Sequence, residues 1–267
     1  MSALLSVGAV TVVFDGITAI SDVSFDVRQG ELLGLIGPNG AGKTTMLRVI
    51  TGVVKATAGT VQLEGKPVDG LPTHLRIRRG LALSQQIVRP FRDMSVLDNV
   101  ALAAGADKTA SPVKALFHRR CEREMQTGQA LLARLGIAQH AHESPAIQPM
   151  GILKRLELAR ALALAPKLLL LDEPLAGLNS KEARLLADTI TDINRGGTTI
   201  ILIEHNLGEV LRICQRLVVL DNGKKIAEGE PEAVMHDATV RAAYLGTGAA
   251  GSTPTTATAA GGQHAAA

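Results

Sequence analysis

Apolar positions along the chain fall into two rhythms. Leu32 to Ile36, Leu81 to Ser84, Leu168 to Leu171 and Thr199 to Ile203 are short runs, apolar at nearly every position and bounded by turn residues. They predict strands buried on both faces of a sheet. The stretches "LLSVGAVTVVF", "ISDVSFDVRQG" and "TVQLEGKPV" instead alternate apolar with polar residues, which predicts an antiparallel β layer beside that sheet. Between about Ser95 and Leu164 the spacing turns helical, in "SVLDNVALAAG", "PVKALFHRRCEREMQTGQALLARLGI" and "ILKRLELARALAL". This predicts a helical subdomain at approximately residues 95–165, inserted between two core strands. After Leu245 the chain reads "GTGAAGSTPTTATAAGGQHAAA", too poor in bulky side chains to bury a core. Residues 247–267 are expected to be a disordered low-complexity tail, and residues 1–246 one domain without internal repeats.

Composition narrows the partners. With 267 residues, 46% hydrophobic and 20% charged, the chain can bury a full core. The balance of 28 Lys+Arg against 25 Asp+Glu leaves a formal charge of only +3. Basic runs stop at Arg76, Arg78 and Arg79, or His118, Arg119 and Arg120, and aromatic content is 2%. Neither a phosphate-tracking stripe nor a base-stacking platform is present, so no nucleic-acid partner is expected. Cys121 and Cys214 carry no metal-ligand spacing and fit a reducing cytosol. The N-terminus lacks signal-peptide features, and "ALALAPKLLLLDE" is broken by Pro166 and Lys167 well short of the ~20 apolar residues that span a bilayer. Any membrane role would therefore run through partners.

The chemistry is concentrated in three places. "GPNGAGKTT", residues 37–45, lies between the strand "ELLGLI" and the helical stretch "MLRVITGVV" and satisfies G-x-x-x-x-G-K-[ST]. Gly37, Gly40 and Gly42, with Pro38, Asn39 and Ala41 between them, let backbone N–H groups wrap an anion, and the helix adds its positive end. Lys43 would reach the β and γ phosphates of ATP, with Thr45 beside it, and the Thr44 hydroxyl would hold Mg2+. "LLLLDEP" ends a buried strand in two acids, a costly place for carboxylates. Standing alone, such a pair reads as a strand-to-turn cap. Beside a phosphate loop, Asp172 is the expected Mg2+ ligand and Glu173 the group that polarises the attacking water. "ILIEHN" brings His205 to the same sheet edge, where it could hydrogen-bond a γ-phosphate. The fold class is therefore α/β: a P-loop NTPase core of mixed, largely parallel sheet, an N-terminal antiparallel β layer and an inserted α-helical subdomain.

These pieces, in this order, resemble the nucleotide-binding subunit of an ATP-binding cassette transporter over about residues 5–245. The resemblance implies an ATPase and adds further residues. In "LSQQIVRPFRDMSVLDN" it makes Gln86 the glutamine that contacts Mg2+ and water and relays to membrane subunits, with Gln85 as second choice. Phe14 falls where the family stacks a ring on adenine, and Asn179 in "AGLNSKE" falls at a dimer seam. Gln148, Pro149, Met150, Gly151 and Ile152 occupy the L-S-G-G-Q positions of the signature, which closes on the γ-phosphate held by a partner chain in a head-to-tail dimer. Pro149 removes both a hydroxyl and a backbone donor. A hydrogen bond to a charged group is worth about 1.5 to 3 kcal/mol, so the loss is on the order of ten- to a hundred-fold in rate if felt only in the transition state. Gly151 and the N–H groups after it remain, so a weakened contact is expected.

"VRPFRDMSVLDNV", "GLNSKEA", "ILIEHN" and "VRAAYLG" resemble the ATPases of branched-chain amino acid uptake systems. This implies two transmembrane permease subunits, a second ATPase subunit, an extracytoplasmic solute-binding protein acting indirectly, and a peripheral position on the cytoplasmic face of the inner membrane. The asymmetric signature favours a heterodimer. Two other readings stay open: an ATP-binding cassette protein of translation or DNA repair, and a catalytically weak nucleotide-binding partner subunit.

Overall fold

The structure, a computed structural model, describes residues 3–84, 90–106 and 122–246. Two sheets form the frame. The smaller is antiparallel, in the order β2 (Ile17–Arg28), β1 (Ala3–Phe14), β4 (Ala58–Leu63), β5 (Lys66–Pro67). The larger has the order β10 (Lys224–Gly229), β9 (Arg216–Asp221), β3 (Leu32–Ile36), β8 (Thr199–Ile203), β7 (Leu168–Asp172), β6 (Leu81–Ser84). All its pairings are parallel except that of the edge strand β10. The fold class read from the sequence is the one observed.

Alternation along the parallel strands explains why they are apolar throughout. Leu169, Leu171, Ile200 and Leu202 face one core, shared with the helices. Leu168, Leu170, Ile201 and Ile203 face the other, shared with the β layer and α1 (Lys43–Thr51). A strand covered on both sides cannot afford polar positions on either.

Further helices complete the site and its frame. Between β6 and β7 lie α3 (Val96–Ala104), α4 (Glu122–Arg134) and α5 (Met150–Ala163), which pack on one another through Val100, Leu132 and Leu156. α2 (Thr73–Arg78) precedes β6, and α6 (Ser180–Arg195) and α7 (Leu207–Ile213) come after β7 and β8. α8 (Pro231–His236) and α9 (Ala238–Gly246) end the described chain. The predicted helix beginning at "PVKALFHRRC" falls partly on residues 107–121, and the predicted tail on 247–267; both segments lie outside the described residues. Strands β9 and β10 go beyond the sequence expectation and extend the core sheet past β3.

Candidate active site

Strands β3, β7 and β8 all end at one edge of the parallel sheet, and the site is built on the turns that leave them. After Ile36 the chain passes through Gly37 to Gly42 into α1. Gly37 has φ +148°, and a Cβ there would strike the carbonyl of Leu220 on β9. Gly42, the residue preceding α1, has φ +101°, and a Cβ would stand 2.6 Å from Ile20 Cδ1 and 2.9 Å from Ala19 O. Both positions need glycine for conformation and for space. No side chain caps α1, so its first N–H groups are available to an anion. Lys43 is buried, and its Nζ donates to the carbonyls of Gly37 at 2.7 Å and Pro38 at 2.8 Å. Burial lowers its pKa, opposed by the charges of Glu173 and Asp172.

The loop opens onto a cleft of about 540 Å³. Residues Asn39 to Thr45 floor it, Ile17 to Ala19 and the Asn222–Gly223 turn wall it, and Glu173 and His205 stand at its edge. Tyr244 on α9 lies against Gly37 of the loop, and burial pushes its phenol up to about 12.

Register sets the acids against the histidine. Asp172 of β7 pairs with Ile203 of β8, which places the next residues of the two strands side by side. The Asp172 carboxyl is held above its ordinary range, first by burial and then by Glu173, with Arg48, Lys43 and Lys154 opposing. Its Oδ1 is buried with no hydrogen-bond partner. An orphaned buried carboxylate oxygen beside a phosphate loop, with the Thr44 hydroxyl lining the same loop, suits a hard divalent cation such as Mg2+. Glu173 is in the left-handed region at φ +51°. Its N–H donates to Ile203 O at 2.9 Å, and its Oε1 is 2.7 Å from His205 Nε2. Glu204, 4% exposed, braces both turns: Oε1 accepts from the N–H of Leu175 at 2.5 Å and Oε2 from that of His205 at 3.2 Å. Lys154, reaching in from α5, donates from Nζ to the Glu173 carbonyl at 3.0 Å.

The signature positions lie elsewhere. Pro149 caps α5 with extended backbone and no side-chain bond, and Met150 and Gly151 form the first turn. Met150 is exposed, as is the nearby Ile147. A Cβ on Gly151 would meet Glu182 Oε1 at 3.3 Å. Asn179 caps α6 through a reciprocal pair: its Oδ1 accepts from the N–H of Glu182 at 3.0 Å, and Glu182 Oε2 accepts from the N–H of Asn179 at 3.2 Å.

The structure thus gathers the phosphate loop from Asn39 to Thr45, Glu173 and His205 around one cleft, with Gly37, Pro38 and Asp172 beneath. Pro149, Met150 and Asn179, exposed, form a separate patch with the half-buried Gly151. Phe14 is half-exposed and pairs with Ile17 across the β1–β2 hairpin; Ile17 is the member of that pair lining the cleft. Gln86 and Gln85 lie in residues 85–89, outside the described residues. Glu204, Lys154 and Ile17 join the site without having been expected from the sequence. A carboxylate ending a fully apolar strand is the available signal for Glu204; a lone lysine among apolar helix positions is that for Lys154.

Residues 20–176 match the sequence profile of the family described as "ABC transporter", and residues 224–250 that described as "Branched-chain amino acid ATP-binding cassette transporter". The chain is 37% identical over 249 residues to the high-affinity branched-chain amino acid transport ATP-binding protein LivG of Salmonella typhimurium, covering 91% of this chain and 98% of that one. It is 37% identical over 227 residues to the lipopolysaccharide export system ATP-binding protein LptB of Acidithiobacillus ferridurans, covering 85% and 90%. Among solved structures, the ADP conformation of MJ1267, an ATP-binding cassette of an ABC transporter, superposes with a TM-score of 0.81 at 29% identity, over 92% of this chain and 100% of the other.

Proposed function

Given that this chain belongs to the ABC transporter family and is an ATPase of that family, we propose that it hydrolyses ATP to drive import of branched-chain or related amino acids through partner permeases. The observation that carries the catalytic half is the Glu173–His205 contact of 2.7 Å at the edge of the phosphate-loop cleft. ATP binds with its phosphates on the loop, where the N–H groups of residues 39–45 and the Lys43 ammonium neutralise the triphosphate. Lys43, held by two loop carbonyls, needs only to exchange those partners for phosphate oxygens. Thr44 and Asp172 would hold Mg2+, with Gln86 as a further ligand; the ion would supply charge neutralisation for the triphosphate. Glu173 takes the proton from the attacking water, and His205, hydrogen-bonded to its carboxylate, fixes the direction in which the acceptor oxygen faces. Phe14 and its hairpin neighbour Ile17 receive the base.

The Glu173→Gln variant tests this. Its kcat should fall by about 100-fold or more, the usual contribution of a general base, while ATP affinity is retained. Unchanged turnover would instead favour a nucleotide-binding partner without its own chemistry.

Transport is carried by likeness. The profile match at residues 224–250 and the LivG relative support amino-acid import. Among the described residues no helix is long and apolar enough to cross a membrane, so the membrane path is assigned to two permease subunits. The chain then sits peripherally on the cytoplasmic face of the inner membrane. The patch of Pro149, Met150, Gly151 and Asn179 is assigned to a second ATPase subunit, whose bound γ-phosphate it would meet, and an extracytoplasmic solute-binding protein delivers the substrate. The LptB relative favours a second reading, an export ATPase. Deletion of the gene separates them: loss of radiolabelled leucine uptake with an intact envelope supports import, and envelope defects with normal uptake support export.

A further inference from the structure

We propose that Lys154 is a positioning residue through which the helix carrying the signature turn sets the geometry of Glu173 in the same chain. The inference rests on the reading of Glu173 as the base. Lys154 is 6% exposed, one turn along α5 from Met150 and Gly151. Burying an ammonium is costly, and a leucine would suit a helix otherwise packed through Leu156, Leu158 and Leu162. The site is distinguished by its company: Glu204, Glu173, Asp172 and Glu157 all place negative charge around the ammonium, and Nζ bonds the Glu173 carbonyl at 3.0 Å.

That bond joins others in fixing the two peptides that flank Glu173. Glu173 holds a left-handed backbone, φ +51°, that non-glycine residues adopt only when their surroundings impose it. Its N–H is tied to Ile203 O of the core sheet at 2.9 Å; its carbonyl accepts from the Ala176 N–H of its own turn at 3.2 Å and from Lys154 of the helical layer at 3.0 Å. One anchor belongs to the sheet, one to the turn itself and one to α5. A tilt or shift of α5 against the sheet therefore stretches the Lys154 anchor and turns the Glu173 side chain relative to His205. Because Pro149, Met150 and Gly151 open the same 14-residue helix, whatever engages that exposed turn is felt at this chain's own base. In a head-to-tail pair, Lys154 of each subunit would link the two hydrolytic sites.

The test uses the full chain with Mg2+ and ATP. Lys154→Met keeps the apolar stem and removes the donor; its kcat should fall by about 100-fold, the usual cost of misplacing a reacting group by about 1 Å. The KM for ATP and the affinity for a fluorescent ATP analogue should stay within about threefold of the parent. Lys154→Arg, which restores a buried donor, should recover most of the loss. In a Glu173→Gln background Lys154→Met should cost little more, because both changes act on one group. Full turnover in Lys154→Met, or a loss that adds in full to that of Glu173→Gln, overturns the proposal while leaving the role of Glu173 standing. Unchanged turnover in Glu173→Gln overturns the premise instead. If Lys154→Met does not fold, Lys154→Gln carries the same comparison.

Discussion

Glu204 shows how much of the site is held by a side chain that performs no chemistry. Its two oxygens accept backbone N–H groups from Leu175 and His205, so one carboxylate fixes the turns that leave two neighbouring strands. The Glu204→Gln variant keeps one acceptor oxygen and orphans a buried N–H. It should lose about 1 to 3 kcal/mol of stability, measured by urea unfolding. Burial outweighs those hydrogen bonds and holds the carboxyl above its ordinary value of 4.5. A raised folded pKa means that the folded state keeps its proton longer than the unfolded chain, so this group's contribution falls as pH climbs through the interval above 4.5. Paired melting curves of parent and variant should show that sign. The residue roles legible in the sequence are those whose chemistry has a fixed spacing: Lys43 and Thr44 in the loop, Asp172 and Glu173 at a strand end. Glu204 and Lys154 are marked there only as charges at apolar positions and Ile17 not at all, because their roles come from contacts made in the fold, with Leu175, Glu173 and the cleft in turn.

Among the elements, α5 is the most informative. It starts at Met150 with Pro149 as an uncapped N-terminus, and Gly151 sits inside the first turn, facing Glu182. Pro149→Ser supplies a capping hydroxyl worth about 1 kcal/mol and should raise the melting temperature by a few degrees, whether or not turnover at a partner's site also rises. Gly151→Asp sets a second carboxylate against Glu182 and should destabilise the α5–α6 contact as well as abolish that turnover; calorimetry and steady-state assays read the two effects separately. Strands β3, β6 and β8 match their predicted bounds because a parallel sheet covered on both faces leaves an unbroken apolar run. The same signal is present in "LVVL" of β9. β10, with Lys224, Lys225 and Glu228 in six residues, is an edge strand whose pairing comes from the neighbour and whose pattern resembles a loop.

At the scale of the molecule, one arginine fastens the layers. Arg216 at the start of β9 bonds Glu31 Oε1 from Nε at 2.7 Å, the Asp26 carbonyl from Nη2 at 2.6 Å, and Glu228 of β10 from Nη1. It thereby joins the end of β2 in the antiparallel layer to three neighbours of the core sheet. Arg216→Met leaves Glu31, 5% exposed, without its cationic partner and with only the Arg28 N–H on its Oε2, and should cost about 3 to 5 kcal/mol, read as a lower midpoint in denaturant. The architecture is legible because strand and helix rhythms alternate along the chain; the fastening is not, because Asp26, Glu31, Arg216 and Glu228 meet only after folding. The contact between Tyr244 and Gly37 has an optical consequence. The chain contains one tyrosine and no tryptophan, so nearly all emission excited near the tyrosine band arises from a single ring seated on the first glycine of the phosphate loop. Occupation of the loop should therefore change the intensity of this built-in reporter with no label attached, and Tyr244→Phe should silence the signal while sparing nucleotide affinity.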